Sequence, residues 1–505
     1  MYFSRVFLLN IVALMVFASG NIQGSAATRC DRLLDRLNTR IADATCFESA
    51  DLTTNNALTT PANDSLPGLP PLAFTPQTDR NVIAPPAGFR TPITKMVPGI
   101  QIQARIANDP LGEARILVRL PDNWNGKMVV AGASGTRSEF NGDFAWSDYV
   151  LQKGYAYVSQ NKGIFNLFVT SLSSPTPPEP LSCRLNPASQ VWVHFYDNDP
   201  AAVFTRWNEV MLAATEIGRS TLEIRYGRRP ARTYAVGTSN GGYQVRRAVE
   251  TAPELFDGGV DWEGTFVDAV APNLLSTLPP AILNFPDYVA SGFDSDGTAA
   301  KNIRGAGYPP DLTTTNAPGV TTSLWGLYSS QFWEVTQCQW QKRLDPTYNT
   351  YVSGTGTYVY IDRLSASDVG ADMAAFATTG RIKRPLITVA GTMDGLLPID
   401  VHARPYARRV ADALRREGDA SVRHSAEGMP DYRLYEVQNG NHIETFTTTF
   451  PQLQLIEPHA QRAFDLLVAR VELAAALPPS QCIPVGGQIA ATPARPGHCL
   501  SLLAP

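Results

Sequence analysis

The rhythm of apolar and polar positions changes along this chain. Ile100, Ile102, Ala104 and Ile106 take every second position, which predicts a strand with one buried face. Asp109-Pro-Leu-Gly112 reads as a turn, and Ala114, Ile116, Val118 and Leu120 alternate again. Two alternating runs around a short turn predict an antiparallel hairpin. Beyond it come short, mostly apolar runs without alternation, at 128–131, 155–159, 233–236 and 385–390, and a last one at 434–437 that Glu436 interrupts. Runs of that kind suit strands covered on both faces. Residues 203–222 carry apolar positions at helical spacing with charges on one face, and 244–251 reads as a further helix. An antiparallel start followed by strands alternating with helices predicts an α/β protein with a mostly parallel sheet.

One interval is too long for this plan. From Ser239 to the strand at Pro385 the chain runs far beyond what a single crossover needs. The excess, 264–381, reads as an inserted lid or cap. It is rich in aromatic residues, among them Phe266, Phe285, Tyr288, Phe293, Tyr308, Trp325, Tyr328, Phe332, Trp333 and Trp340. Most of these rings are expected to form the core of the insertion, with some lining a pocket over Ser239. Residues 50–95 are rich in Thr, Pro, Asn and Ala and read as an extended stretch over the surface. The chain thus divides into a leader at 1–27 and an N-terminal extended segment at 28–98. A core at 99–263 and 382–478, the insertion at 264–381 and a tail at 479–505 complete it.

The chemistry is signalled by Tyr234-Ala-Val-Gly-Thr-Ser239-Asn-Gly-Gly242. An apolar strand breaks at Gly-x-Ser-x-Gly and a helix follows, the signature of a serine held on a sharp strand-to-helix turn. Side chains at Gly237 or Gly241 would collide with the packing of that turn, which is why glycines stand there. The alternative is a serine in an ordinary glycine-rich turn, and the strand before and helix after argue against it. With this motif the predicted fold is an α/β-hydrolase fold, with a mostly parallel central sheet and a large inserted lid.

A serine hydroxyl needs a base, and the base needs an acid to orient it. In this fold they follow the serine in the order acid, then histidine, each after a later strand. Asp394 follows the 385–390 strand directly and is the candidate acid; a helix-capping role is the bland alternative, and Asp400 is the second choice. His442 follows the 434–437 strand in a turn-forming stretch and is the candidate base. The other histidines, at 194, 402, 424, 459 and 498, fall in the wrong order or place. An oxyanion hole needs two N–H donors. Asn240 is expected to supply one, and the loop Gly132-Ala-Ser-Gly135 the other, through Ala133 or Ser134.

Composition narrows the setting. The chain has 505 residues with a net charge of −4 and 17% charged residues, which suggests neither nucleic acid nor an anionic membrane as partner. The expected partner is a small-molecule or oligomeric ester, with no nucleic acid and no membrane after leader cleavage. Arg5 precedes an apolar run at 6–17, with small residues after it. This predicts a secretory leader, since the run is shorter than the roughly 20 residues a spanning helix needs. Six cysteines suit an exported chain, secreted or periplasmic, with three disulfides. Sequence distance favours Cys30–Cys46 and Cys482–Cys499, which leaves Cys183–Cys338, though sequence alone does not fix the pairing. No Cys-x-x-Cys is present, and no cofactor is expected.

Several segments together resemble the tannase and feruloyl esterase family. They are Leu120-Pro-Asp-Asn-Trp-Asn-Gly126, the loop at Gly132, Lys153-Gly-Tyr-Ala156, the elbow, and Pro253-Glu-Leu-Phe-Asp-Gly258. The resemblance covers 100–260 and the Asp394 and His442 segments. It implies a secreted serine esterase with a lid, acting on esters of phenolic acids. The family has cysteines just before the serine and just after the histidine, where this chain has Thr238 and Ile443. The substrate class is therefore open, and hydroxyalkanoate oligomers are an alternative. Some members of the family bind calcium in the lid. Asp294-Ser-Asp296-Gly and Asp197-Asn-Asp199 match no full calcium loop, so no metal is predicted. Two other classes stand beside the esterase: a peptidase or amidase with the same triad, and a non-catalytic binding member of the fold.

Overall fold

The computed structural model describes residues 28–59, 87–135, 138–164, 168–194, 204–348, 358–418 and 431–504. The predicted leader at 1–27, Asp197-Asn-Asp199 and His424 lie outside the described residues.

The apolar runs build one ten-stranded sheet. Its strands are β1 (Ile41–Ser49), β2 (Gly99–Ile106), β3 (Arg115–Pro121), β4 (Lys127–Gly132), β5 (Ala156–Gln160), β6 (Arg232–Thr238), β7 (Gly258–Trp262), β8 (Leu386–Gly391), β9 (Tyr432–Val437) and β10 (Gln481–Ile483). Their order in the sheet is β1-β2-β3-β5-β4-β6-β7-β8-β9-β10. The predicted hairpin is present, with Ile100 opposite Leu120 and Ala104 opposite Ile116. β1 to β3 pair antiparallel with one another and β3 pairs antiparallel with β5; every pairing from β5 to β10 is parallel. This is an α/β-hydrolase sheet.

The continuous apolar runs are explained by burial on both faces. Met128 and Val130 pack with Val158, Ala235, Met211 and Val245, beneath the helices Thr205–Tyr226 and Asn240–Thr251. Val129 and Ala131 point the other way, against Tyr157, Tyr234 and Phe464 of the helix Glu457–Leu473. The period of two sends alternate residues to opposite faces, so both must be apolar.

Two expectations are corrected. The segment expected to be extended at 28–98 opens with the helix Arg29–Leu37 and supplies β1 at the sheet edge. Part of it is packed inside, because Leu52, Thr53 and Thr59 are buried and the Thr59 carbonyl accepts from Arg119. A strand, β7, lies soon after Ser239. The sequence hid it because Gly258, Gly259 and Asp261 interrupt the apolar run; Asp261 is buried with Arg246 paired to it at 2.6 Å and with the Gly264 N–H and the Thr388 hydroxyl donating to it. The 434–437 strand, the last clear one to be read from the sequence, is followed by β10, which adds to it in parallel.

Between β7 and β8 the chain forms a mainly helical insertion, including Leu274–Ala290, Thr298–Gly305, Glu334–Leu344 and Val369–Phe376. Tyr288, Tyr308, Trp325, Tyr328, Phe332, Trp333 and Trp340 are buried in one cluster there. Disulfides join Cys30–Cys46, Cys183–Cys338 and Cys482–Cys499, the pairing that sequence distance favoured. The second ties the Cys183–Arg184 strand to the helix Glu334–Leu344.

Candidate active site

The loops that carry the candidate residues leave the carboxyl ends of parallel strands, where sheets of this class place their ligands. Ser239 directly follows β6 with φ 61° and ψ −124°, a strained geometry for a residue with a side chain. The surrounding backbone holds it there. Its N–H donates to the Trp262 carbonyl at 2.9 Å, and its carbonyl accepts from Tyr243 at 3.0 Å and Thr265 at 3.3 Å. The glycines are required sterically. A Cβ on Gly237 would stand 2.4 Å from the Gly241 carbonyl oxygen, and one on Gly132 would stand 2.5 Å from the same atom. Ser239 remains 6% exposed.

Asp394 and His442 are in direct contact, with Oδ2 and Nδ1 2.8 Å apart. The other carboxylate oxygen of Asp394 accepts from the N–H groups of Leu396 and Leu397, both at 2.7 Å. The Asp394 carboxylate therefore cannot rotate away from the ring without breaking two bonds. His442 sits on a loop fixed from several sides. The Met393 N–H donates to the Gly440 carbonyl at 2.8 Å, and a Cβ on Gly391 would stand 2.3 Å from that same oxygen. Asn441 accepts from the Tyr328 phenol of the insertion at 2.8 Å and donates to the Ile443 carbonyl at 2.9 Å. The second choice of acid, Asp400, is exposed and bonded to Arg404 at 2.8 Å.

The oxyanion side departs from the expected detail. The Ala133 N–H donates to Gln244 Oε1 at 2.9 Å, and the Ser134 N–H donates to Asn141 Oδ1 at 3.0 Å. Both expected donors of this loop are thus engaged by buried side-chain oxygens. Asn240 opens the helix Asn240–Thr251, where first-turn N–H groups have no acceptor within the helix. The Asn240 side chain accepts from Thr265 Oγ1 at 2.8 Å. The Gly135 N–H has no hydrogen bond among the described residues.

Two residues escaped sequence reasoning. Lys162 is fully buried, and its ammonium donates to the carbonyls of Ala133 and Ser134, both at 3.0 Å, and to that of Gly135. It thus gathers three consecutive carbonyls of the loop that faces the elbow. Glu263 follows β7 with φ 52°, 3% exposed, and its Oε2 lies 3.4 Å from His442 Nδ1. No sequence signal marked either: a lysine in a turn ordinarily faces water, and a glutamate after a strand has no motif.

The family model described as 3HB-oligomer hydrolase matches residues 349–497. That stretch includes Asp394 and His442 but not Ser239. The D-(-)-3-hydroxybutyrate oligomer hydrolase of Ralstonia nicotianae (strain ATCC BAA-1114 / GMI1000) is 34% identical over 135 residues, 25% of this chain. The match spans only 16% of that relative's length. Among solved structures, feruloyl esterase B from Aspergillus oryzae aligns with a TM-score of 0.45 and 15% identity over 86% of this chain and 88% of that one. Tannin acyl hydrolase from Aspergillus niger aligns with 0.43 and 12% over 87% and 85%.

Other predicted features fall elsewhere. Asp294 and Asp296 form an ordinary turn, the Asp294 carboxylate accepting from the Asp296 N–H at 3.0 Å. A cavity of about 700 Å³ lined in part by Phe89, Leu453, His459 and Ile489 is bordered by none of Ser239, Asp394 and His442. No helix among the described residues is long and apolar enough to cross a membrane.

Proposed function

We propose that the chain is a serine-dependent carboxylic ester hydrolase with Ser239 as nucleophile, His442 as base and Asp394 as the acid that orients it. The observation that carries this reading is the 2.8 Å contact of His442 Nδ1 with Asp394 Oδ2, in a chain whose Ser239 stands on a strained elbow. In the reaction Ser239 Oγ attacks the ester carbonyl while His442 Nε2 takes its proton. The imidazolium is stabilised by Asp394 and returns the proton to the leaving alcohol. Water then cleaves the acyl-enzyme by the same route. The oxyanion is stabilised by the Asn240 N–H and by that of Gly135, the loop N–H with no acceptor among the described residues.

The substrate class we favour is an oligomer of a short hydroxyalkanoate, because the 3HB-oligomer hydrolase match covers the acid and histidine loops. Three disulfides suit an exported protein, periplasmic or secreted. The test compares 3-hydroxybutyrate trimer, feruloyl and galloyl esters and peptide anilides with wild type and Ser239→Ala. Hydrolysis of the trimer and labelling by a fluorophosphonate should both vanish in a folded Ser239→Ala protein. An alanine variant that keeps turnover ends the reading. Faster cleavage of the phenolic esters moves the substrate assignment, and anilide cleavage moves the reaction class.

A further inference from the structure

His442 faces two carboxyl groups. Asp394 comes from the loop after β8, and Glu263 comes from the turn after β7. The Nδ1 distances are 2.8 Å to Asp394 Oδ2 and 3.4 Å to Glu263 Oε2. The Glu263 side chain is built into place. Its Oε1 accepts from the Gly391 N–H at 2.9 Å, and its own N–H donates to the Val389 carbonyl at 2.8 Å. The turn is braced by Asp261, whose Oδ1 accepts from the Gly264 N–H at 2.6 Å. Oε2 has no hydrogen bond among the described residues and is aimed at the ring. A residue held at positive φ, buried, with one oxygen anchored and the other directed at the base, is not a chance neighbour.

Two carboxylates beside one imidazole cannot both be charged cheaply in a buried site. Burial, and then the charge of Asp394, push the Glu263 carboxyl well above its ordinary value, while His442 and the Gly391 N–H work the other way. Burial thus favours the neutral form of the Glu263 carboxyl. The other titratable groups that bear on the pair include Glu444 from the histidine loop, Tyr308 and Tyr328 from the insertion and His402 behind Asp394.

We propose that Glu263 is a second positioning carboxyl for His442, able to accept the Nδ1–H when Asp394 does not. The inference rests on the reading of Ser239, Asp394 and His442 as a triad. It departs from it in placing two acids on one base.

The experiment measures kcat/KM and its pH profile on a chromogenic short-chain ester for wild type, Glu263→Gln, Asp394→Asn and the double variant. Glutamine keeps an acceptor for the Gly391 N–H, so Glu263→Gln alone should cost less than about tenfold. Asp394→Asn should lose about 10², short of the ~10⁴ that follows loss of a lone acid in the serine-protease case. Its residual activity should climb with pH as Glu263 ionises. Adding Glu263→Gln should cost at least a further tenfold or so and flatten that climb. A double variant equal to Asp394→Asn in rate and pH profile overturns the proposal and leaves the triad intact. Full activity in Asp394→Asn together with an active Ser239→Ala overturns the triad itself. Glu263→Asp covers a glutamine variant that does not fold: its shortened carboxylate keeps the charge but withdraws from Nδ1. In the Asp394→Asn background it should lose the rescue just as glutamine does, and a retained rescue counts against the proposal.

Discussion

Replacing Lys162 by methionine tests how the elbow's facing loop is held. Methionine has nearly the length of lysine but no donor, so the perturbation removes the ammonium and little volume. The structure gives that ammonium three carbonyl acceptors, on Ala133, Ser134 and Gly135, in a site without solvent exposure. Each buried carbonyl left without a donor costs about 1–3 kcal/mol. Three of them would sum to roughly 3–9 kcal/mol if nothing moved. The ammonium's own desolvation works in the opposite direction, and the loop can turn its carbonyls to other partners. The stability loss is therefore expected at the low end, about 3 kcal/mol.

The functional loss follows from the loop's relaxation. A peptide plane that swings its carbonyl also swings the N–H on its other side, so the Gly135 and neighbouring N–H groups lose their aim. Loss of one oxyanion donor lowers turnover by about 10²–10³. Because that donor acts on the transition state, kcat should fall while KM holds. The assay is kcat and KM on a soluble ester, run on protein shown to be folded by its melting curve. A folded Lys162→Met protein with kcat within about threefold of wild type would refute the argument that this lysine shapes the oxyanion loop.

Two further outcomes are expected. Asp400→Asn should change kcat by less than about threefold, since its carboxylate is exposed and paired with Arg404, so a dead variant would reassign the acid. Burial pushes His402 down from 6.5 to about 3, with its Nδ1 accepting from the Phe266 N–H at 3.0 Å. The unfolded chain then binds a proton between those values and the folded chain does not, so this group's stabilisation is complete above about pH 6.5 and is lost as pH falls. In His402→Gln, whose amide oxygen can accept the same N–H, melting temperature should fall less steeply from pH 7 to pH 4; parallel curves would exclude the effect.

What the sequence made legible was whatever sterics or chain order dictate. Gly237 and Gly241 announce the elbow because no other residue fits between Gly132 and the start of the helix. Asp394 and His442 stood out in the sequence because each lies within a few residues of the end of a readable strand, in a turn-forming stretch. Glu263 and Lys162 were not legible, since their burial depends on partners remote in sequence. A glutamate becomes part of the site only when β7 lies between β6 and β8. A lysine is buried only because three carbonyls meet it. The loop at Gly132 was found, but which N–H groups stay open depends on Gln244 and Asn141, whose roles no local pattern encodes. β7 was missed for the same reason: Asp261 looks like a break in a strand until Arg246 is seen beside it.

The same long-range dependence explains how the histidine loop stays rigid without a covalent tie of its own. Asn439 takes the left-handed conformation, with its N–H on Thr392 Oγ1 at 2.9 Å and its amide on the carbonyls of Gln452 at 3.1 Å and Ala504 at 2.9 Å. Asn441 is held by Tyr328 from the insertion, and the Phe446 ring packs edge-on against that tyrosine with centroids 5.4 Å apart. The Asp394 loop is gripped by the same insertion, because the Trp333 indole donates to the Gly395 carbonyl at 2.7 Å. The loops of Asp394 and His442 are thus clamped by one body, through two aromatic residues set a few positions apart. Ordering these loops before substrate arrives removes an entropic cost from the chemical step. It also means that changes in the insertion reach the site without touching it. Tyr328→Phe removes one bond to Asn441 while keeping the ring, and it should lower kcat by loosening His442 rather than by altering what the site binds. A KM effect without a kcat effect would place Tyr328 among the substrate contacts instead.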